Sequence, residues 1–212
     1  MYAKANYLQN KLQDFLYRAQ AFAPATPLYV GLLTCTNGIV ARATAYTLSE
    51  TLVVSAADGT YHLYKVTTAG TTAVSAPAYP GATGEAITDG TAVLTEQTLA
   101  LKAGTAIVEP SGGSYARVSI ASSLADWSGT QGAGTSVAST GTGGQISNNV
   151  QINFPTTSAA WAVSPALVWG FFTADAATIG NVYDIGSLTT PNTIGSGVQP
   201  YIAAGQLSMT EL

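Results

Sequence analysis

From Pro27 onward the apolar residues fall in short runs, each closed within a few positions by Gly, Pro, Asn, Ser or Thr. The clearest are PLYVGLLT (27–34), TLVVSA (51–56), YHLYKVTT (61–68), TAVLTEQTLAL (91–101), SYARVSIA (114–121), NVQINFP (149–155) and ALVWGFFTA (166–174). Weaker runs lie near 182–188 and 206–212. Many short segments rich in β-branched and aromatic residues, separated by turn residues, predict an antiparallel β-sandwich or barrel. Nothing after residue 25 alternates strand with helix, so a parallel α/β sheet is not expected.

The beginning of the chain reads differently. Leu8, Leu12, Phe15, Leu16, Ala19 and Phe22 recur at three- and four-residue spacing opposite Gln9, Lys11, Gln13 and Arg18. This predicts one N-terminal amphipathic helix over about residues 6–21, capped by Asn6 and stopped by Pro24 and Pro27. A lone helix of that length is marginal in water. Its apolar face must lie on the sheet of its own chain or on a neighbouring subunit.

Composition narrows the function classes. Only 8% of residues are charged, against about 25% in an ordinary soluble domain, so the surface must be covered by Ser, Thr, Asn, Gln and Gly. Such a surface opposes self-association with little charge repulsion and suits a homo-oligomer or a larger assembly. Net charge is −4 and the seven basic residues are scattered, which gives no footprint for nucleic acid. One cysteine and one histidine can form neither an internal disulfide nor a multi-histidine metal site, and no cofactor motif is present. The start, MYAKANYLQNKLQ, is too polar for a signal peptide, and the apolar stretch 159–174 is broken by Ser164-Pro165. It falls short of the ~20 residues of a spanning helix, so a protein made in the cytoplasm and not inserted in a membrane is expected.

Catalytic constellations find no support. The carboxylate pairs Glu85 with Asp89 and Asp175 with Asp184 lie in Gly- or Thr-rich turn contexts, where acids cap backbone amides. His62, inside YHLYK, reads as a hydrogen-bonded strand residue, and no GxSxG elbow offers it a nucleophile. Cys35 reads as a small buried residue at a strand end, and Trp161, Trp169, Phe171 and Phe172 as the main core. The tract SGTQGAGTSVASTGTGGQIS (128–147) reads as a long surface loop or flexible arm. Residues 38–98 differ in texture from both flanks. They are read as a small β module inserted into a discontinuous β-sandwich domain formed by 1–37 and 99–212. Tyr61, Tyr64 and Tyr79 fall in this insert. They are either a platform for sugar rings or the miniature core of the module.

The order of motifs outside the insert is a leading helix, PLYVGLLT, EPSGGSYARVSI, ISNNVQINFP, Trp161 with ALVWGFFTAD, GNVY and AAGQLSMTEL. It resembles a family of tailed-bacteriophage virion proteins, the phage tail fibre or decoration proteins. The residues that carry the resemblance include Glu109, Gly112, Gly113, Tyr115, Ala116, Arg117, Phe154, Pro155, Trp161, Gly180, Asn181 and Gly205. The insert is similar to a small β module recurrent in phage tail and adhesin proteins and related to carbohydrate-binding repeats, with Tyr79 and Leu94 where that module carries Trp, and Glu50 in place of a Gly. The resemblance implies a non-enzymatic structural component of a virion, as capsid decoration, neck or tail fibre. Such a protein would work by self-assembly and by attachment to neighbouring virion proteins. The alternative it implies is a host-surface adhesin whose insert binds a glycan or receptor through Tyr61, Tyr64 and Tyr79.

Overall fold

The computed structural model describes residues 1–81, 84–141 and 143–210. In chain order the first elements are β1 (Tyr2–Lys4), α1 (Asn6–Arg18), β2 (Leu28–Cys35), β3 (Ala45–Tyr46), β4 (Thr51–Ser55), β5 (Tyr61–Thr68) and β6 (Gly70–Thr71). Then follow β7 (Ala86–Asp89), β8 (Ala92–Glu96), α2 (Thr98–Lys102), β9 (Val118–Ile120), β10 (Gln145–Ser147) and β11 (Ile152–Asn153). The chain closes with β12 (Leu167–Ala174), β13 (Val182–Asn192), β14 (Tyr201–Ile202) and β15 (Ser208–Thr210). The fold is mainly β, and all the paired strands are antiparallel.

Two sheets form the body. One has the order β1-β13-β12-β2-β9 and the other β4-β5-β8-β7, with the ribbons β3-β6, β10-β15 and β11-β14 beside them. Both faces of the five-stranded sheet are buried, which explains why LYVGLLT and ALVWGFFTA read as continuous apolar runs. Val30, Leu32, Val168 and Phe171 point into one core with Ile152, Phe154, Trp161 and Leu207. Leu33, Cys35, Trp169, Phe172 and Ile185 point the other way and meet Val53 and Leu63 of the four-stranded sheet, with Leu101 of α2. A bulge between Val168 and Gly170 shifts the register of β12 against both neighbours, and side-chain alternation changes phase there. A third core lies on the far side of the four-stranded sheet, where Leu52, Val54, Tyr64, Val66 and Leu94 pack with Tyr46 and Tyr79. The expected core residues Trp161, Trp169, Phe171 and Phe172 and the strand-end Cys35 are all buried.

Several boundaries differ from the sequence reading. The run 91–101 is not one strand: β8 ends at Glu96 and α2 follows. Leu101 is drawn into the core between the sheets, and the Glu96 carboxylate accepts the Thr98 N–H at 2.9 Å, satisfying a backbone donor at the helix start. Helix α1 stops at Arg18, before either proline, because Ala19 turns left-handed (φ 53°) and its N–H bonds Asp14 O. Ala5, not Asn6, occupies the cap position, with no side-chain cap bond. The strand β1, lacking any signal of its own in the polar start, is recruited by pairing with β13. Two positions of the expected run 206–212 lie outside the described residues.

The tract 128–147 is tied down by its own side chains. Gln131 Nε2 donates to Ala138 O at 2.7 Å and Asn149 Nδ2 to Thr135 O at 2.8 Å, while Gly134 N donates to Asn149 Oδ1 at 2.9 Å. The expected surface loop is therefore a folded loop rather than a free arm.

Candidate functional site

The β1 edge of the five-stranded sheet borders a cleft of about 1230 Å³. One wall is the 58–62 corner of the four-stranded sheet; the other is the closing segment 201–210. Its position follows from topology: β5 begins at Tyr61, so the turn that feeds β5 stands beside β1 and the 186–189 part of β13.

The floor of that corner is ionic. His62 is buried, its Nε2 donating to Asp58 Oδ2 at 2.8 Å and its Nδ1 to Glu96 Oε1 at 3.1 Å. With a carboxylate on each nitrogen the ring must carry both protons, and it is an imidazolium. Burial alone would lower its pKa, but the hydrogen bonds and charges of Glu96 and Asp58 outweigh burial and raise it. Glu96 has a fully buried side chain and four donors: His62, the Thr98 hydroxyl, Thr98 N and Gly84 N. Burial pushes its pKa up, and those donors bring the net below the usual range. Asp58 behaves likewise; burial opposes ionisation, but the Thr60 amide and hydroxyl with His62 bring its pKa down to about 2.

Thr60 Oγ1 also lies 3.1 Å from His62 Nε2, so distances alone describe a hydroxyl–imidazole–carboxylate chain. Chemistry separates it from a nucleophile and its base. A general base must present a lone pair to the hydroxyl, whereas Nε2 is engaged as a donor to Asp58, and the Thr60 hydroxyl donates to Asp58 Oδ1 at 2.9 Å. The arrangement is a charged staple joining the 58–60 turn, β5 and the start of α2.

A second buried network lies on the same face of the four-stranded sheet, where His62 and Glu96 alternate with Leu63 and Thr95 and so share the side of Tyr64, Leu94 and Tyr79. Asp89, its side chain fully buried, accepts from Arg42, the Tyr79 hydroxyl and Ala73 N, the last at 2.9 Å. Arg42 also donates to the Tyr79 oxygen at 2.8 Å and lies over the Tyr79 ring at 5.8 Å. Burial would raise the Asp89 pKa; Tyr79, Arg42 and the Ala73 amide hold it low. Of the carboxylates expected to cap turns, Asp175 does so, accepting from Asn181 N at 2.7 Å and Asn181 Nδ2 at 2.8 Å.

The three tyrosines singled out from the sequence do not share a surface. Tyr64 and Tyr79 are buried, meet edge-to-face at 5.6 Å, and have their hydroxyls taken by Pro80 O and by Asp89. Tyr61 is partly exposed and lines the cleft. Sequence reasoning missed the Asp58, Thr60 and Glu96 partners of His62. The available signal was an acid ending a strand opposite the module's tyrosine strand, since Glu96 pairs in register with Tyr64.

The EPSGGSYAR segment forms a lock of its own. Arg117 Nη2 donates to Glu109 Oε1 at 2.7 Å, Nη1 donates to Ala176 O at 2.8 Å, and the guanidinium lies 4.8 Å from the Phe172 ring centroid. The Tyr115 hydroxyl donates to Glu109 Oε2 at 2.7 Å and accepts Leu32 N–H at 2.9 Å, while its ring meets Trp161 edge-on at 5.1 Å. Trp161 Nε1 closes the circuit on Gly113 O at 2.8 Å. Gly113 has φ 57° and an added Cβ would meet the Trp161 indole, so glycine is required there.

Apart from Leu32, these residues fall within the segment that comparison assigns. Residues 91–210, more than half of the chain, match the family model described as Podophage GP4 fiber I protein gp80. The match begins just before β8 and so takes in the last strand added to the four-stranded sheet along with α2 and all of β9 to β15. No curated protein matches the chain.

Proposed function

The chain belongs to the Podophage GP4 fiber I protein gp80 family and is a phage tail fibre protein, and on that premise we propose that it acts without catalysis, by packing against copies of itself and neighbouring virion proteins. The observation that carries this reading is the state of α1. None of its residues is buried, and Phe15, Leu16 and Tyr17 are 53%, 65% and 82% exposed. Its hold on the body includes Tyr7, which stacks on Tyr183 with centroids 5.7 Å apart. A 13-residue helix is marginal in water without tertiary cover, so this apolar stripe is suited to cover by a neighbouring subunit. Low charge supports the same reading, since little repulsion opposes close approach. The imidazolium state of His62 removes the chain's only histidine as a general base.

Within this reading residues 38–98 are an inserted β module in a host domain made by 1–37 and 99–212. Every strand pairing of β3 to β8 stays inside that span. The module is docked, since Val53 and Leu63 enter the core under the five-stranded sheet.

Light scattering coupled to size exclusion tests the assembly reading. The full chain elutes as an oligomer, and the double variant Phe15→Ser, Leu16→Ser shifts to monomer while its thermal midpoint stays close to that of a dissociated parent. An oligomer unaffected by the double variant, or a monomeric parent, would overturn it.

A further inference from the structure

After Cys35, the last residue of β2, the chain leaves the five-stranded sheet for residues 38–98, whose strands form the four-stranded one. The crossing is pinned by backbone bonds. Asn37 N donates to Thr51 O at 3.0 Å and Gly38 O accepts Val53 N–H at 2.7 Å, while the Thr36 hydroxyl accepts Thr51 N–H at 2.8 Å. Gly38 is left-handed (φ 66°) and an added Cβ would stand 2.5 Å from Pro165 O, so glycine is required there. The residue before it differs from the other asparagines. Asn148, Asn149, Asn153, Asn181 and Asn192 each spend the side-chain amide on a hydrogen bond within the chain, and Asn6 and Asn10 lie in α1. Asn37 is half-buried, its side-chain amide has no hydrogen-bond partner among the described residues, and it alone precedes a glycine. Among the described residues no carbonyl takes the Gly38 N–H; the atom beside it is the Cys35 sulfur, a weak acceptor.

We propose that the Asn37–Gly38 peptide is a self-modification site that converts, without any enzyme, to isoaspartate. The Gly38 nitrogen gives up its proton to hydroxide and attacks Cγ of Asn37; the Cγ–Nδ2 bond breaks, ammonia leaves, and a five-membered imide closes. Water then opens the ring. Addition at the main-chain carbonyl carbon of residue 37 leaves Gly38 joined through Cγ, which is isoaspartate, and addition at Cγ gives aspartate. Glycine brings no Cβ against the forming ring, and the free Asn37 amide has no bond to give up. The consequence is structural as well as chemical. Isoaspartate puts one more carbon into the main chain between Asn37 N and Gly38 O, the two groups that hold Thr51 and Val53, and both bonds cannot stay in register. Val53 belongs to the core shared by the two sheets, so modification loosens the contact between them. The reaction uses bonds of a single chain and stands whether or not α1 mediates assembly.

The test incubates the full folded chain in mildly alkaline buffer and follows it by peptide mass mapping. The peptide carrying residue 37 gains one mass unit, its isoaspartate form outweighs the aspartate form, and hydroxylamine, which opens the imide, cuts the chain between residues 37 and 38. Asn37→Gln, which would have to close a larger ring, loses all three signals. In the isoaspartate chain the Val53 amide exchanges with deuterium at least about tenfold faster than in the parent, a local opening at the seam. Asn37→Asp adds the charge without the extra carbon and keeps Val53 exchange within about twofold of the parent. No mass gain at residue 37, aspartate without isoaspartate, an isoaspartate chain whose Val53 amide exchanges at the parent's rate, or equal acceleration in Asn37→Asp would each overturn the proposal.

Discussion

The ring of Phe172 on β12 lies across Gly31 on β2, its partner in the antiparallel register. A Cβ added at Gly31 would fall inside the contact distance of Cζ and Cε1, and would stand only 3.1 Å from Cε2. The same relation recurs one residue along, where Phe171 covers Gly186 of β13. Adjacent phenylalanines thus project to opposite faces of the sheet, and each is seated on a glycine of a different neighbouring strand. Gly31→Ala should destabilise the protein by about 1–3 kcal/mol, the cost of overpacking a filled core. Gly195→Ala, where nothing lies within 4 Å, should change stability by no more than about 0.5 kcal/mol. Urea unfolding of both variants measures the difference.

The Glu109–Arg117 pair predicts a second, larger effect. The Arg117 side chain is 9% exposed and spends its fork on Glu109 and Ala176 O while facing Phe172. Lysine keeps the charge but loses the planar fork and its stacking. Arg117→Lys should therefore cost about 2 kcal/mol, and Arg117→Met about 3 kcal/mol, because it strands the Glu109 carboxylate. Adding Glu109→Gln to Arg117→Met should recover part of the loss, and a double-mutant cycle in chemical denaturation reads the coupling.

What the sequence disclosed of this fold followed from period and turn chemistry. The long strands β2, β5 and β12 were legible because both faces of each are apolar, and α1 because its stripe repeats at helical spacing. β1, β3, β6, β10 and β14 were not, since two- and three-residue strands have no period of their own and exist only through partners distant in sequence, whereas β11 and β15 fall inside the expected runs 149–155 and 206–212. α2 hid inside an apolar run whose first half is a strand, and its start depends on the Glu96 carboxylate, a contact composition cannot show. The cleft was illegible for the same reason: Gln9, Tyr61 and Gln206 are brought together by sheet order alone. The tyrosines of the insert were visible as a group, but strand alternation buries Tyr64 while Tyr61 stays at the surface edge.

Tyr79 predicts a third effect. Its hydroxyl stands between Asp89 and Arg42, so Tyr79→Phe leaves a buried carboxylate one donor short without disturbing the edge-to-face packing on Tyr64. The expected loss is about 1–3 kcal/mol, the cost of an unmade buried hydrogen bond to a charged group. Asp89→Asn should do no better, because Arg42 then loses its counter-charge. Thermal melts at pH 7 report both, and a Tyr79→Phe protein as stable as the parent would show that the hydroxyl contributes nothing net.

The His62 staple sets the pH dependence of stability, with opposite signs for its members. His62 has a folded pKa raised above its ordinary 6.5, so its contribution is complete below that value and is lost as pH rises through the folded pKa. Asp58 has a folded pKa lowered from 3.8 to about 2; its contribution is complete above 3.8 and is lost as pH falls toward 2. Glu96, also lowered, loses its contribution on the same acid side. Stability should therefore be highest between these limits and decline above neutrality, where the neutral imidazole leaves the buried Glu96 carboxylate without its cation. His62→Gln removes that cation at every pH. It should cost about 3 kcal/mol at pH 6, the scale of breaking one side of a buried pair, and should flatten the decline between pH 6 and 9. Urea midpoints of parent and variant across that range measure both, and a parent whose stability rose from pH 6 to 9 would refute the assignment of the imidazolium.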